Sequence, residues 1–325
     1  MIKITQLILL TCLLISCQNP IKDTNAKVDV EKGTEVVTEN KPIEKTSEQP
    51  TPPAETSTAP TDALLGFWVG YFEKDEQQQN VGKTLVVDEG FVWSRENKIN
   101  ISIDEITEGI VNGHSVVAGN NRPFTGTVEK QENGSYSFQV KEPGDNKYDG
   151  VFSFTIDQDR LKGKWIAYKN IEIKHRQYDL EKKAFTYDPD VMLEQSKSYV
   201  NWNEFLSAEE TTDYDGEFQT WIRKEFATTT PLIYKINASN KLLKKSTVEN
   251  LKKGDLTVIR NSIYARHGYS FRNRPLRVFF DAQPWYIPVN ADIKADFTDI
   301  EKQNIKLLLK YEKNAAEYYD RFGRG

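Results

Sequence analysis

From Leu64 onward, apolar and polar residues alternate in short runs. The segments Lys98 to Ile103, Ser135 to Val140, Gly150 to Ile156 and Leu161 to Tyr168 each place an apolar residue at every second position. That period predicts strands with one buried face. Turn-forming steps lie between the runs, at Asn112-Gly113, Asn133-Gly134, Pro143-Gly144-Asp145 and Asp157-Gln158-Asp159. Gly163-Lys164-Trp165 repeats the opening Gly66-Phe67-Trp68. Residues 63–183 are therefore expected to form an antiparallel β barrel or sandwich. Residues 184–234 are read as a mixed connector. An amphipathic helix is predicted over Glu217–Phe226, where Phe218, Trp221, Ile222 and Phe226 recur at helical spacing. Beyond residue 235 the period is helical. Ser246-Thr247-Val248-Glu249 reads as a capping box before a short helix ended by Gly254. Asp255 is the expected cap of a helix over Leu256–His267, with Gly268 as its terminator. Thr298-Asp299-Ile300-Glu301 is a second capping box. It opens a long helix with Ile300, Leu307, Tyr311, Ala315 and Tyr318 near one face. The expected fold is β + α and multidomain, with the β domain followed by a small, mainly helical domain over residues 235–325.

The N-terminus follows different rules. Lys3 precedes an apolar run from Leu7 to Ile15, far short of the ~20 residues a spanning helix needs, so residues 1–16 read as a signal peptide. The run ends Leu14-Ile15-Ser16-Cys17, which resembles the bacterial lipobox. That resemblance implies cleavage before Cys17 and lipid on its thiol. The chain has 2 cysteines. Cys12 leaves with the signal, so the mature protein keeps no thiol for a disulfide, for cysteine catalysis or for a zinc site. Residues 17–62 hold the lipidated cysteine and a stretch without Phe, Trp or Tyr, rich in Thr, Glu, Lys and Pro. Such a stretch cannot bury enough apolar surface to offset its ordering entropy, and a disordered tether is expected.

The run Ile259-Arg260-Asn261-Ser262-Ile263-Tyr264-Ala265-Arg266-His267-Gly268-Tyr269 resembles the signature of the YARHG domain. Phe279-Phe280, Trp285-Tyr286 and Ile300 to Ile305 follow in the family's order. The resemblance spans residues 240–313. It implies a small extracytoplasmic bacterial domain, of the kind found in lipoproteins or beside cell-wall-associated modules, and it implies no particular activity.

On a helical wheel His267 shares a face with Leu256, Ile259 and Ile263, and Arg260 and Tyr264 lie on its shoulder. Burial and a neighbouring arginine both disfavour a charged imidazole. Two readings follow. In the first, the motif is an internal polar network tying helix to loop. In the second, Arg260, Tyr264, Arg266, His267 and Trp285 hold an anionic or sugar ligand. The chain has 3 histidines, His114, His175 and His267, none at metal-ligand spacing from another, so neither metal nor cofactor is predicted. Asp213 to Glu217 lacks the spacing of a calcium loop, and Gly113-His114-Ser115 completes no nucleophile elbow. No catalytic residue is assigned. Phe67, Trp68, Trp93 and Trp165 read as core, although a barrel mouth can take a small apolar ligand.

Charge is uneven. Residues 235–325 carry 18 Lys plus Arg against 10 Asp plus Glu, a net of +8, within a chain of net −5. A basic domain of this kind suits a solvated surface, docking between the halves, or contact with peptidoglycan or another anionic envelope polymer. Nucleic acid is excluded as a partner by export and by the lack of a recognition motif, and oligomeric state is left open. The expected function is a non-enzymatic binding or scaffolding module, held to membrane lipid through Cys17 in the cell envelope. Gln18, in place of the aspartate that signals inner-membrane retention, favours the outer membrane. The alternative is a hydrolase or transferase acting on envelope glycans, with its site in the β-domain cavity or at the domain junction.

Overall fold

The computed structural model describes residues 62–75, 84–86, 92–94, 96–195, 198–292 and 297–318. The signal peptide, Cys17 and the expected tether lie outside them, as does the side chain of Trp93.

Eight strands close into an antiparallel barrel: β1 (Gly66–Lys74), β4 (Asn97–Thr107), β5 (Ile110–Val117), β6 (Asn120–Lys130), β7 (Tyr136–Lys141), β8 (Gly150–Asp157), β9 (Arg160–Ala167) and β10 (His175–Lys183). A small pair, β2 (Thr84–Val86) and β3 (Val92–Ser94), falls between β1 and β4 in sequence. From β4 to β10 each strand pairs with its sequence neighbours, and β1 pairs with both β10 and β4. Closure removes the free edges that a sandwich would keep. The alternation read from sequence is the inside–outside alternation of the wall: Phe152, Phe154 and Ile156 point inward while Ser153, Thr155 and Asp157 face water. Trp68 is fully buried, and its indole N–H donates to Leu64 O at 3.0 Å, so the short 3-10 turn Asp62–Leu64 seals one end.

Asn112-Gly113 is not a turn. Both residues lie within β5, and a Cβ on Gly113 would overlap Ser102 O and the Phe124 ring. Here glycine serves close packing across the barrel. The turn falls at Glu108-Gly109, where φ is 51° and 80°, the pair of positive values a tight hairpin requires.

The amphipathic helix expected over Glu217–Phe226 is instead a strand. It is most of β12 (Glu217–Thr228), paired along its length with β11 (Val200–Tyr214). Phe218 and Ile222 are 76% and 67% exposed, so their helical spacing builds no buried face. The Asp215-Gly216 turn carries φ of 52° and 86°, and Asp213 accepts Gly216 N–H at 2.8 Å. The weak calcium-loop pattern is thus a hairpin turn.

The helical part comprises α1 (Lys245–Val248), α2 (Lys253–Arg266), α3 (Arg274–Asp281) and α4 (Asp299–Tyr318). It packs around Ile259, Ile263, Phe279, Phe280, Tyr286 and Leu308. Two expected caps are corrected. The Ser246–Glu249 box does not form, because α1 starts at Lys245 without a side-chain cap. Asp255 lies inside the first turn of α2, where it accepts Lys252 N–H at 3.2 Å and Thr230 N–H at 2.6 Å. Gly254 lies in that same turn rather than ending α1, and Thr228 O crowds the position a Cβ would fill. The box at Thr298–Glu301 does form, with reciprocal bonds of 3.0 and 3.2 Å. Gly268 ends α2 at φ 74°.

The buried face of α4 is Glu301, Asn304, Leu308 and Ala315, and Ile300 is 37% exposed. Polar residues turn inward because irregular backbone needs them: Asn304 accepts Leu243 N–H at 2.8 Å and donates to Ala238 O at 2.8 Å. The helical part docks on the barrel. Gly119 N–H donates to Ser270 Oγ at 2.9 Å, and Arg272 Nε returns a bond to Gly119 O at 2.9 Å. Lys98 reaches out of β4 to Gln283 O at 2.8 Å and Tyr286 O at 3.0 Å.

Candidate functional site

The five side chains singled out in the helical motif do not converge. Arg260 makes a two-pronged pair with Glu312, at 2.8 and 3.0 Å, and lies over the Tyr264 ring. Tyr264 packs edge-on against Phe297. His267 sits past the end of α2, buried, with Nε2 2.8 Å from Glu301 Oε2 and its ring stacked on Tyr187 at 4.3 Å. The carboxylate beside His267, rather than an arginine, is the interaction the helical wheel could not show. Burial pushes the Glu301 carboxyl up, but hydrogen bonds from His267, Ser239 and Thr298 outweigh it and hold it below its ordinary value. Arg266 is buried and donates to Val191 O, Ser239 Oγ and Ser262 Oγ, at 2.9, 3.1 and 3.2 Å. Only Arg266 and Trp285 share a cavity, of about 460 Å³, with the segment around Tyr187. The motif's polar groups are largely bonded to one another and to the incoming chain.

A larger cavity, of about 660 Å³, opens at the end of the barrel where β1, β5, β7 and β9 finish. Phe72, Phe152 and Trp165 form its apolar floor, continuous with the barrel core. Its polar lining includes Arg122, Glu142 and Arg176 from the barrel, and Arg277 from α3. The site therefore lies at the junction of the two parts, and Trp165 serves both core and cavity.

The charged groups differ in how they are satisfied. Arg122 pairs with buried Asp149 at 2.6 Å, and Asp149 also accepts the N–H groups of Gly144 and Asn146. Glu142 is buried and accepts Gly150 N–H at 2.7 Å, the Trp165 indole at 3.2 Å and Ser115 Oγ at 3.3 Å. Burial raises its carboxyl to about 7 despite those bonds. Arg176 donates to Phe72 O at 2.6 Å and lies 4.8 Å from the Phe72 ring centre. Burial, then Arg277, lowers it to about 10. Sequence reading missed Glu142, Arg176 and Arg277. They come from three separate stretches of the chain and belong to no motif.

The raised Glu142 value has a measurable consequence. A carboxyl held at about 7 in the folded protein against an ordinary 4.5 favours folding while protonated. That stabilisation is complete below the lower value and lost as pH rises through the upper one. Glu142→Gln stays neutral throughout. Between about pH 5 and about pH 8, urea unfolding should shift in favour of Glu142→Gln by on the order of 2 kcal/mol relative to wild type. A pH-independent difference would show that Glu142 is ionised in the folded protein.

The structure is thus an antiparallel barrel carrying a small helical domain against its mouth. Residues 231–313 match the family model described as the YARHG domain, so the chain contains a YARHG domain. No curated protein and no solved structure matches it.

Proposed function

We propose that the protein is a lipid-anchored cell-envelope module that binds a small ligand in the barrel-mouth cavity without converting it. The observation that carries this reading is the cavity itself. It is concave, with an apolar floor of Phe72, Phe152 and Trp165 under a polar and charged rim, and its lining comes from both the barrel and the YARHG domain, so it offers an apolar surface and polar groups to one ligand. The YARHG domain supports an extracytoplasmic setting, and the lipobox at Cys17 supports attachment to membrane lipid, with the outer membrane favoured. Peptidoglycan or another anionic polymer would meet the basic outer surface, since Arg260, Arg266 and His267 are committed internally.

The second reading, a glycan hydrolase or transferase, draws on Glu142, whose raised value suits a general acid. Against it, the nearby Asp149 carboxylate is spent on Arg122 and two backbone N–H groups.

The test is to block the mouth. Val117 lines the cavity, and Val117→Trp should fill part of it. Naphthyl compounds, neutral and anionic, should quench tryptophan fluorescence in the wild-type chain and lose that effect in the variant. Absence of binding by every compound would sink the proposal.

A further inference from the structure

We infer that the ligand carries an oxyanion, a carboxylate or phosphate on an apolar body, and that Arg176 of the barrel and Arg277 of the YARHG domain grip it together. This rests on the binding reading above and adds the chemistry of the ligand.

Both guanidinium groups line the same cavity. Neither has a carboxylate at ion-pairing distance among the described residues, whereas Arg122 on the same rim has Asp149 and Arg260 has Glu312. Arg277 Nη1 reaches Phe271 O and Arg272 O only at 3.3 and 3.2 Å. Its Nε is buried with no partner among the described residues. Arg176 uses one N–H on Phe72 O, out of the five donors a guanidinium offers.

Arginine does not lose its proton in proteins, so two half-buried cations facing one cavity repel each other at a standing cost. Burial lowers both; Arg277 adds to that in Arg176, where Glu96 opposes it, and Arg274 adds to it in Arg277, where Asp281 opposes it. An oxyanion between them would remove the repulsion and take up the idle donors, in the planar two-pronged geometry arginine favours. Phe72, Phe152 and Trp165 beneath supply the surface for the apolar body. Since one arginine belongs to each part of the molecule, the bound anion would also tie the YARHG domain to the barrel.

The experiment uses the purified full chain and three probes with one aromatic body: 2-naphthoate, 2-naphthyl phosphate and the neutral 2-naphthalenemethanol. Affinities are read by calorimetry. One or both anions should bind at least about tenfold tighter than the alcohol, as expected for hydrogen bonds to a charged group. The better of the two anions identifies the head group. Arg277→Gln and Arg176→Gln should each erase the preference for the anions over the alcohol, and an unchanged far-ultraviolet circular dichroism spectrum shows that the variants are folded. Arg277→Lys should restore part of the preference. Equal binding of alcohol and anions, or a preference that survives both variants, overturns the inference and leaves the cavity as a neutral site. If no probe binds, the binding reading falls with it.

Discussion

Glu301→Ala should lower the stability of the folded chain by about 3–5 kcal/mol, because three donors lose a buried carboxylate acceptor and each such loss costs ~1–3 kcal/mol. Glu301 is fully buried and accepts from three directions: His267 Nε2 at 2.8 Å, Tyr187 Oη at 3.0 Å and Thr298 N–H at 3.0 Å. Its loss orphans a buried imidazole, a tyrosine hydroxyl on the chain leaving the barrel, and the first turn of α4. His267→Ala should cost less, because Glu301 keeps its bonds to Tyr187 and Thr298. The double variant should fall short of the sum, since the two changes remove one shared contact. Urea unfolding of all four chains measures this. A loss below about 1 kcal/mol for Glu301→Ala, within reach of a single neutral hydrogen bond, would show that the motif histidine does not anchor the domain.

The strands were legible where the physics is simplest. β7, β8 and β9 each have one face in the barrel core and one in water, so period 2 in sequence is period 2 in burial. β11 and β12 lack that signal because neither face of their outer half is buried among the described residues. Tyr214, Phe218, Trp221 and Ile222 are all exposed there, and their spacing imitates an amphipathic helix by coincidence. Gly113 was misread because glycine serves both turns and close packing, and only the partner across the sheet, Phe124, tells which.

The site was less legible than the fold. The YARHG run identified its own residues, but their partners lie far along the chain: Glu301 is 34 residues from His267, and Glu312 is 52 from Arg260. The capping box did single out Glu301, yet local pattern could assign it only the local role. The cavity was harder still. Arg176 stands at the start of β10, Glu142 just past the end of β7 and Arg277 within α3, each unremarkable in its own segment. Only barrel closure and the docking of α3 bring them together.

That docking leads to the other large expected effect: Lys98→Met should loosen the YARHG domain from the barrel and cost about 3–5 kcal/mol, because two carbonyls lose hydrogen bonds from a charged donor at ~1.5–3 kcal/mol each. In β4 the alternate positions Ile99, Ile101 and Ile103 face the core, so Lys98, one residue out of phase with them, points outward. Yet it is only 7% exposed, because the YARHG domain covers it. Its ammonium donates to Gln283 O and Tyr286 O, and its own N–H donates to Asp281 Oδ2 at 2.8 Å. Methionine keeps the length and the apolar stem. It leaves two carbonyls without that donor and removes one of the two cations that pull the Asp281 carboxyl down. The loss should depend on pH. Burial raises Asp281 to about 7 from an ordinary 3.8, against the pull of Lys98 and Arg277. A carboxyl so raised stabilises the fold while protonated and loses that contribution as pH climbs through its folded value. Without Lys98 the folded value rises further, so ionisation becomes more costly. The deficit of Lys98→Met should therefore be smaller at about pH 5, where Asp281 is neutral in both chains, than at about pH 7. Unfolding followed by amide hydrogen exchange of the barrel strands and by the far-ultraviolet helix signal of the YARHG domain should show one transition in wild type and two in the variant. Coincident transitions with a pH-independent deficit would mean that Lys98 is not what joins the two parts.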